Sequence, residues 1–449
     1  MLRAWSLASA LTALALSAAT AAPVPTFSKD VAPIFFARCT GCHRPNDIAP
    51  MSLLDYKSAR PWAKAIRASV LSRKMPPWFA DPAYGHFAND ARLSPQELQT
   101  IQAWADAGAP EGNPKDLPPT PKFVEGWQMG KPDIVIDIGE DHVVTPGEDS
   151  YDHFIVNTNF KQGKWIRAAE IKPGNRQVVH HVHVLLVQDD PKAMEVASTK
   201  NIPSLQNYLL REGKLSRIRQ DAPVLNDACQ DKLPDLPYLT GDQEGSLTAF
   251  LPGRQPDVFP EGTAKWIPPG AKLEFVIHYA KISGKPQTDR TSVGFYLLDG
   301  PPQRVLRRMD LRNFFMQIPA GAPSHEVKRC FTFEEDRDLL SFTPHMHYRG
   351  KEAIYEIVRP DGSKETLLKI PKYDFNWQLN YRMRDPVRIA KGSRMIVTFR
   401  YDNSANNPAN PDPKENVRWG DKSEEEMMTS WIEYLEVKPK RNAAASGGN

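Results

Sequence analysis

Five prolines between positions 110 and 121 (Pro110, Pro114, Pro118, Pro119 and Pro121) divide this 449-residue chain into two unlike parts. Proline fixes φ and donates no backbone hydrogen bond, so neither a helix nor a central strand runs through such a stretch. The stretch reads as a semi-stiff linker over 113–125. Before it, apolar residues recur with helical spacing. After it, they alternate or cluster in short runs, as strands do. A chain of this length also exceeds one ordinary core.

The first part, 26–112, is predicted helical. Ser28 is placed to cap a helix carrying Val31, Ile34 and Phe35 and running into Cys39. Trp62, Ile66 and Val70 repeat at i+4 in a second helix. Ser94-Pro95-Gln96-Glu97 has the form of a capping box with proline at the first helical position. Leu98, Ile101 and Trp104/Ala105 continue as an apolar stripe, and Gly108 and Pro110 stop it.

The second part is predicted as strands: Ile134 to Ile138, His153 to Val156, Val178 to Val187, Leu273 to Ile282, Val293 to Leu298, Glu352 to Val358 and Met395 to Tyr401. Pro360-Asp361-Gly362 has the composition of a hairpin turn. Short strands separated by long prolyl loops suggest sandwiches. About 320 residues are too many for one, so two are expected, with a boundary near Gly300-Pro301-Pro302.

The N-terminus reads as a secretory signal over 1–21. Arg3 is its positive end, Leu7 to Leu16 its apolar run, and Ala19-Thr20-Ala21 its cleavage site. Such a chain would be periplasmic or secreted. No internal run approaches the roughly 20 apolar residues of a membrane span. The formal net charge of +3 comes without a basic stripe, which argues against nucleic acid as a partner.

There are four cysteines. Cys39-Thr40-Gly41-Cys42-His43 is a C-x-x-C-H motif, which attaches a c-type haem: Cys39 and Cys42 add to its vinyl groups, and His43 becomes an axial iron ligand. Met75, on the proline-stiffened loop Lys74-Met75-Pro76-Pro77, is the expected sixth ligand, with Met51 and His86 as competitors. Cys229 and Cys330 remain. In an oxidising compartment such an even pair is expected to form a disulfide.

Six of the eleven histidines fall in three strand-like segments: His180, His181 and His183; His278; His345 and His347. Residues i and i+2 of a strand share a face, so His345 and His347 can chelate one metal. His180 and His181 face opposite ways on a regular strand and can share a metal only through a bulge or a locally twisted backbone; spacing alone prefers His181 with His183. Imidazole suits copper, zinc or iron, and an added thioether favours copper. Neither Glu nor Asp lies within the H-x-H motif to act as a base, which weakens a zinc-hydrolase reading.

Two resemblances follow from these residues. Cys39 to His43 with Arg73-Lys74-Met75-Pro76-Pro77-Trp78 resembles the small cytochrome c domain that precedes other redox domains in bacterial proteins. His180-His181, His278-Tyr279, His345-x-His347 and Glu425-Glu426-Met427 stand in the order seen in the copper type II, ascorbate-dependent monooxygenases, which 126–438 resembles. The implied organisation is a small all-α cytochrome c domain (26–112), two all-β jelly-roll sandwiches (126–300 and 301–440) facing across a solvent-filled cleft, and a disordered tail (441–449).

The second resemblance also implies roles. His180, His181 and His278 would hold an electron-transfer copper. His345, His347 and Met427, with Met428 as the adjacent competitor, would hold the copper where O2 binds. The implied activity is hydroxylation of a C–H bond of a small-molecule substrate. Its electrons would enter through the one haem from an external donor such as another cytochrome or a reductant. The alternative is a non-enzymatic copper-binding electron-transfer protein. Two departures stand out. The position two before His345, an arginine that anchors a substrate carboxylate in peptide-hydroxylating members, is Thr343; and His183 is extra, a candidate support or alternative ligand.

Overall fold

The computed structural model of the chain describes residues 23–45, 47, 49–124, 126–147, 149–187, 224–229, 245–251, 254–280, 284–420 and 422–437. The expected signal segment 1–21 and the tail 441–449 lie outside those residues.

The helices are few and short: Ala32–Arg38, Tyr56–Ala59, Ala63–Leu71 and Pro95–Asp106, with a π-turn over Phe27–Val31. They bury Phe27, Val31, Phe35, Ile66, Val70, Ile101 and Trp104 in a core of their own. The capping box forms as expected: Glu97 N–H donates to Ser94 Oγ and Ser94 N–H donates to Glu97 Oε2. Two expectations are corrected. Ser28 does not cap; the chain enters the first turn at Thr26, whose N–H donates to Asp30, and Ser28 is buried within it. Trp62 leaves the apolar stripe and is 42% exposed, because its end of the helix borders a cavity instead of the core. None of the described helices is long and apolar enough to cross a membrane.

The rest is predominantly β. Two cores form. In the first, the sheet Ser150–Asn157, Lys272–Tyr279, Val179–Val187, Ser246–Phe250 supplies one layer. In the second, the layer is Lys364–Ile370, Gly350–Val358, Arg394–Tyr401, His325–Thr332, Asp227–Ala228. Both cores pack on one nine-stranded sheet. Its path is Ile134–Asp137, Ser292–Leu297, Lys164–Lys172, Thr263–Ile267, Arg304–Arg312, Thr429–Glu436, Arg337–His345, Tyr381–Ile389, with Asp257–Val258 beside Lys164–Lys172.

That sheet runs through the expected boundary near Gly300. Its joint is a parallel pairing of Arg304 and Val305 with Thr263 and Ala264. Leu306 and Leu435 accordingly pack in the first core. Residues 224–229 belong to the second core, and there a disulfide joins Cys229 to Cys330, 101 residues apart, beside the parallel pairing of Asp227 and Ala228 with Lys328 and Arg329. Strand Lys272–Tyr279 ends before residues 281–283, which are not described. The turn at Pro360-Asp361-Gly362 links Gly350–Val358 to Lys364–Ile370, and Gly362 takes φ +84° there.

The helical part is fastened to the second β half. Trp78 packs on Phe87 and Tyr381 at 5.8 and 4.9 Å, and all three belong to the second core. Ala88 N–H donates to the Arg382 carbonyl, Arg384 N–H to that of His86, and Asn89 Nδ2 to that of Asn380. Residues 86–89 thus lie along strand Tyr381–Ile389 as an extra edge. These bonds bypass the proline-rich linker and fix the helical part without it.

Candidate metal centres and the cavity beside them

The first histidine cluster depends on an irregularity in a strand pair. His278 opposes His181, but the next residue, Tyr279, opposes Val179, so His180 is the extra residue of a β-bulge. The bulge turns His180 to the side of its neighbour. The three Nδ1 atoms then converge: His180 to His278 at 3.0 Å, His181 to His180 at 3.4 Å, His278 to His181 at 3.2 Å. Metal–imidazole bonds of about 2.0 Å put ligand nitrogens about 3.3 to 3.5 Å apart. A small outward shift therefore makes room for one ion, and among the described residues these are three histidines close enough together to hold one.

Burial and mutual proximity keep these imidazoles neutral, with lone pairs free. Burial first, then His278, pushes His180 down to about 4. The same effects hold His181 well below the usual range, and burial lowers His278 against the pull of Asp149. His278 Nε2–H donates to Asp149 Oδ2 at 3.1 Å, which directs Nδ1 inward. Tyr151 stacks flat on the same ring at 4.5 Å and 2°. Tyr279, adjacent in the motif, points elsewhere: its hydroxyl donates to Asp289 and its ring stacks on His142. His183 is not in the cluster; its ring stands 5.7 Å behind that of His181.

The second cluster sits where strand Arg337–His345 ends. His345 and His347 are buried, with their Nε2 atoms 3.2 Å apart. Their other nitrogens are anchored: His345 Nδ1–H donates to Gln378 Oε1 at 2.8 Å, and His347 Nδ1–H to the Glu425 carbonyl at 3.2 Å. Each anchor fixes the tautomer that presents Nε2. Burial lowers both histidines, His347 to about 4.

The backbone of Met427 is tied to the H-x-H segment through Glu426. That carboxylate is fully buried and accepts the N–H groups of His347, Arg349 and Met427 at 2.8, 2.6 and 3.2 Å. Burial raises it to about 7 against those bonds. Arg349, also buried, donates to the Glu424 carbonyl and to Asn403. One clip therefore holds the H-x-H segment to the loop bearing Met427. Met427 is half-buried, whereas Met428 is fully buried in the second core. Thr343 receives a hydrogen bond from Asn380 at 2.8 Å, so the position is a neutral polar pair.

The roles of Gln378, Glu426, Arg349 and Asp149 are not visible in motif order. One local signal exists: Arg349 continues the i+2 series of His345 and His347, and His347 and Arg349 both bond to the segment around Glu426.

A cavity of about 700 Å³ joins the helical part to the first cluster. Cys39, Cys42, His43 and Met75 line it on one side, and His180 and Gln378 on the other. Cys39 and Cys42 are free thiols, and burial raises them to about 12 and about 11. His43 Nδ1–H donates to the Met51 carbonyl at 3.3 Å, leaving Nε2 for a ligand. Met51 also lines the cavity, while His86 is exposed and absent from its lining.

Residues 311–446 match the family model of the copper type II ascorbate-dependent monooxygenase, C-terminal domain. The match includes His345, His347, Glu426 and Met427, and supports copper and monooxygenase chemistry for this region. It spans well under half of the chain. No curated protein matches the chain significantly. Among solved structures, the major capsid protein P2 of bacteriophage PM2 is 9% identical, covering 67% of this chain and 99% of its own, with a TM-score of 0.25. The structure of Broad Bean Stain Virus is 8% identical, covering 70% and 91%, with a TM-score of 0.26. Neither likeness carries an argument at these scores.

Proposed function

We propose that the chain is an exported copper-dependent monooxygenase that hydroxylates a C–H bond of a small molecule with O2, with its electrons entering through a fused c-type haem domain at 26–112. The observation that carries this reading is the pair of imidazole clusters, three Nδ1 atoms in one and two Nε2 atoms in the other, with the family match over the second. His180, His181 and His278 would hold an electron-transfer copper. His345, His347 and Met427 would hold the copper at which O2 reacts. Bound copper supplies one-electron redox chemistry and an open coordination position.

The chain's own part is positioning. Three neutral imidazoles serve both oxidation states of the first ion. Two imidazoles and a thioether favour the reduced state of the second. Gln378 and the Glu425 carbonyl hold the two Nε2 atoms forward, and Glu426 keeps Met427 in register with them.

The large cavity suits a haem in size, since ligand pockets run about 300–1,000 Å³, and in its lining. Two free thiols with an adjacent histidine attach it, and His43 offers Nε2. Met75 is the proposed opposite ligand. Met51 is engaged through its carbonyl on the His43 side, and exposed His86 lies outside the cavity.

The test is anaerobic reduction of the copper-loaded, haem-bearing protein, then O2 exposure in a metabolite pool with mass spectrometry. A product heavier by one oxygen atom is expected. Tight copper binding with no O2 consumption would instead give the electron-transfer protein.

A further inference from the structure

We infer that His183 and Trp431 form a packed bridge that carries electrons between the two copper sites. The inference rests on the reading above, in which both clusters hold copper. It concerns two residues to which that reading gives no task.

The rings form a continuous series. His183 stands 5.7 Å from His181, a residue of the first cluster. Trp431 stands 5.4 Å from His183. His345, in the second cluster, stands 5.4 Å from Trp431. All distances are between ring centroids, so neighbouring rings are in contact range with no layer of solvent between them. The strand that places Trp431 also fixes its partner: Trp431 opposes Thr343, two residues before His345, so its ring reaches His345 on the diagonal. His183 shares a face with His181 at i+2. The expected solvent-filled cleft is therefore crossed by side chains along this line.

Two surroundings favour a bridge that conducts without being oxidised. The Arg308 guanidinium lies 4.8 Å from the Trp431 ring centre. A cation on an indole face is attracted to its electrons and opposes their removal. The open space beside the bridge is a cavity of only about 30 Å³, room for about one water. Packed rings are the denser path, and electronic coupling falls faster across gaps than through bonded and touching atoms.

The step moves one electron and no atoms. Cu(I) at the first site is oxidised to Cu(II), and Cu(II) at the second is reduced to Cu(I). The first ion is reduced again by ferrous haem, which an external one-electron reductant restores. No bond forms or breaks.

The test uses the full-length protein with haem and both coppers loaded as Cu(II), mixed anaerobically with excess reductant. Freeze-quenched paramagnetic resonance follows each Cu(II) signal. In the unaltered protein the first signal is expected to fade before the second. Trp431→Leu, with copper stoichiometry and both signals unchanged at rest, is expected to slow only the second by about ten-fold or more, since the smaller side chain opens a gap in the packed series. Trp431→Phe, which keeps a ring, is expected to restore most of the rate. An unchanged second rate in Trp431→Leu overturns the bridge. So does equal slowing of both signals, which marks a structural residue. Failure of the unaltered protein to reduce even the first copper sinks the underlying reading instead.

Discussion

The two imidazole clusters reach the same end by opposite means. The first uses backbone irregularity: a bulge gathers His180 and His181, and all three nitrogens offered are Nδ1. The second needs no bulge: His345 closes its strand, His347 follows two residues later, and both offer Nε2. Their supports differ too. The first leans on Asp149, whose side chain is 53% exposed, and on the half-exposed face of Tyr151. The second is braced by Gln378 and Glu426, both buried. On the proposed roles, a site that only exchanges electrons tolerates a wet, adjustable support. A site that must keep its ligands aimed at an open position needs a dry one.

The comparison breaks outright if the two clusters are not separate sites. His181→Ala and His345→Ala should each remove one of two bound coppers and leave the other, as counted by metal analysis and by paramagnetic resonance. Product formation should fall below detection in both. Loss of both coppers from either variant would merge the clusters into one site. Next in size are the supports. Removing an outer partner of a metal ligand costs typically 10- to 100-fold in affinity. Gln378→Leu should fall near the upper end in competition titrations with a copper chelator, because its buried acceptor has no substitute. Asp149→Asn should fall near the lower end, because water reaches its place. The reverse order would mean that the first cluster is the more rigid one.

Much of this contrast was legible in sequence, and the illegible remainder has a common cause. Ser94 and Glu97 cap a helix, and Pro360-Asp361-Gly362 turns a hairpin, because each signal is complete within four residues. Strand periodicity gave the condition for His180 and His181 to meet, a local irregularity, but by itself preferred His181 with His183; the bulge at His180 decides between them. What sequence does not carry is pairing over distance. The parallel joint of Arg304 and Val305 with Thr263 and Ala264 makes one sheet of two expected units, and no local pattern marks it. Gln378 lies 33 residues from His345 and Glu426 lies 79 from His347, so their roles exist only in the fold. Trp62 went astray differently: a helix start facing a large cavity has the same periodicity as one facing a core.

The seam between the β halves tests whether the sites are mechanically joined. Lys265, on a first-half strand, donates to Glu433 on Thr429–Glu436 at 2.8 Å and to the carbonyls of Ser246 and Leu247. Burial would raise Glu433, but the attraction and hydrogen bond of Lys265, with Arg254 and the Ser341 hydroxyl, together outweigh it and hold the carboxyl at about 2. Lys265→Met should destabilise the protein by about 1–3 kcal/mol at pH 7, by leaving that carboxylate without its cation. The folded-state value lies below the ordinary 4.5, so the pair's contribution is full above pH about 4.5 and fades as pH falls toward 2. Denaturant midpoints for the two proteins should therefore converge on acidification. A gap that stays constant on acidification would show that Lys265 acts through the carbonyls alone.

The smallest effect expected is the most discriminating about what holds the first cluster. Tyr151 covers the His278 ring face to face but offers it no hydrogen bond. Tyr151→Leu keeps an apolar cover and removes the stacked ring. Ring stacking of this kind contributes about 0.5–1 kcal/mol, so copper affinity at the first site should drop roughly two- to five-fold, with the second site unchanged. Tyr151→Phe should recover it. If Asp149→Asn leaves affinity untouched while Tyr151→Leu lowers it, packing rather than the carboxylate sets the His278 ring. The two sites would then differ in kind, the first held by packing and the second by buried hydrogen bonds.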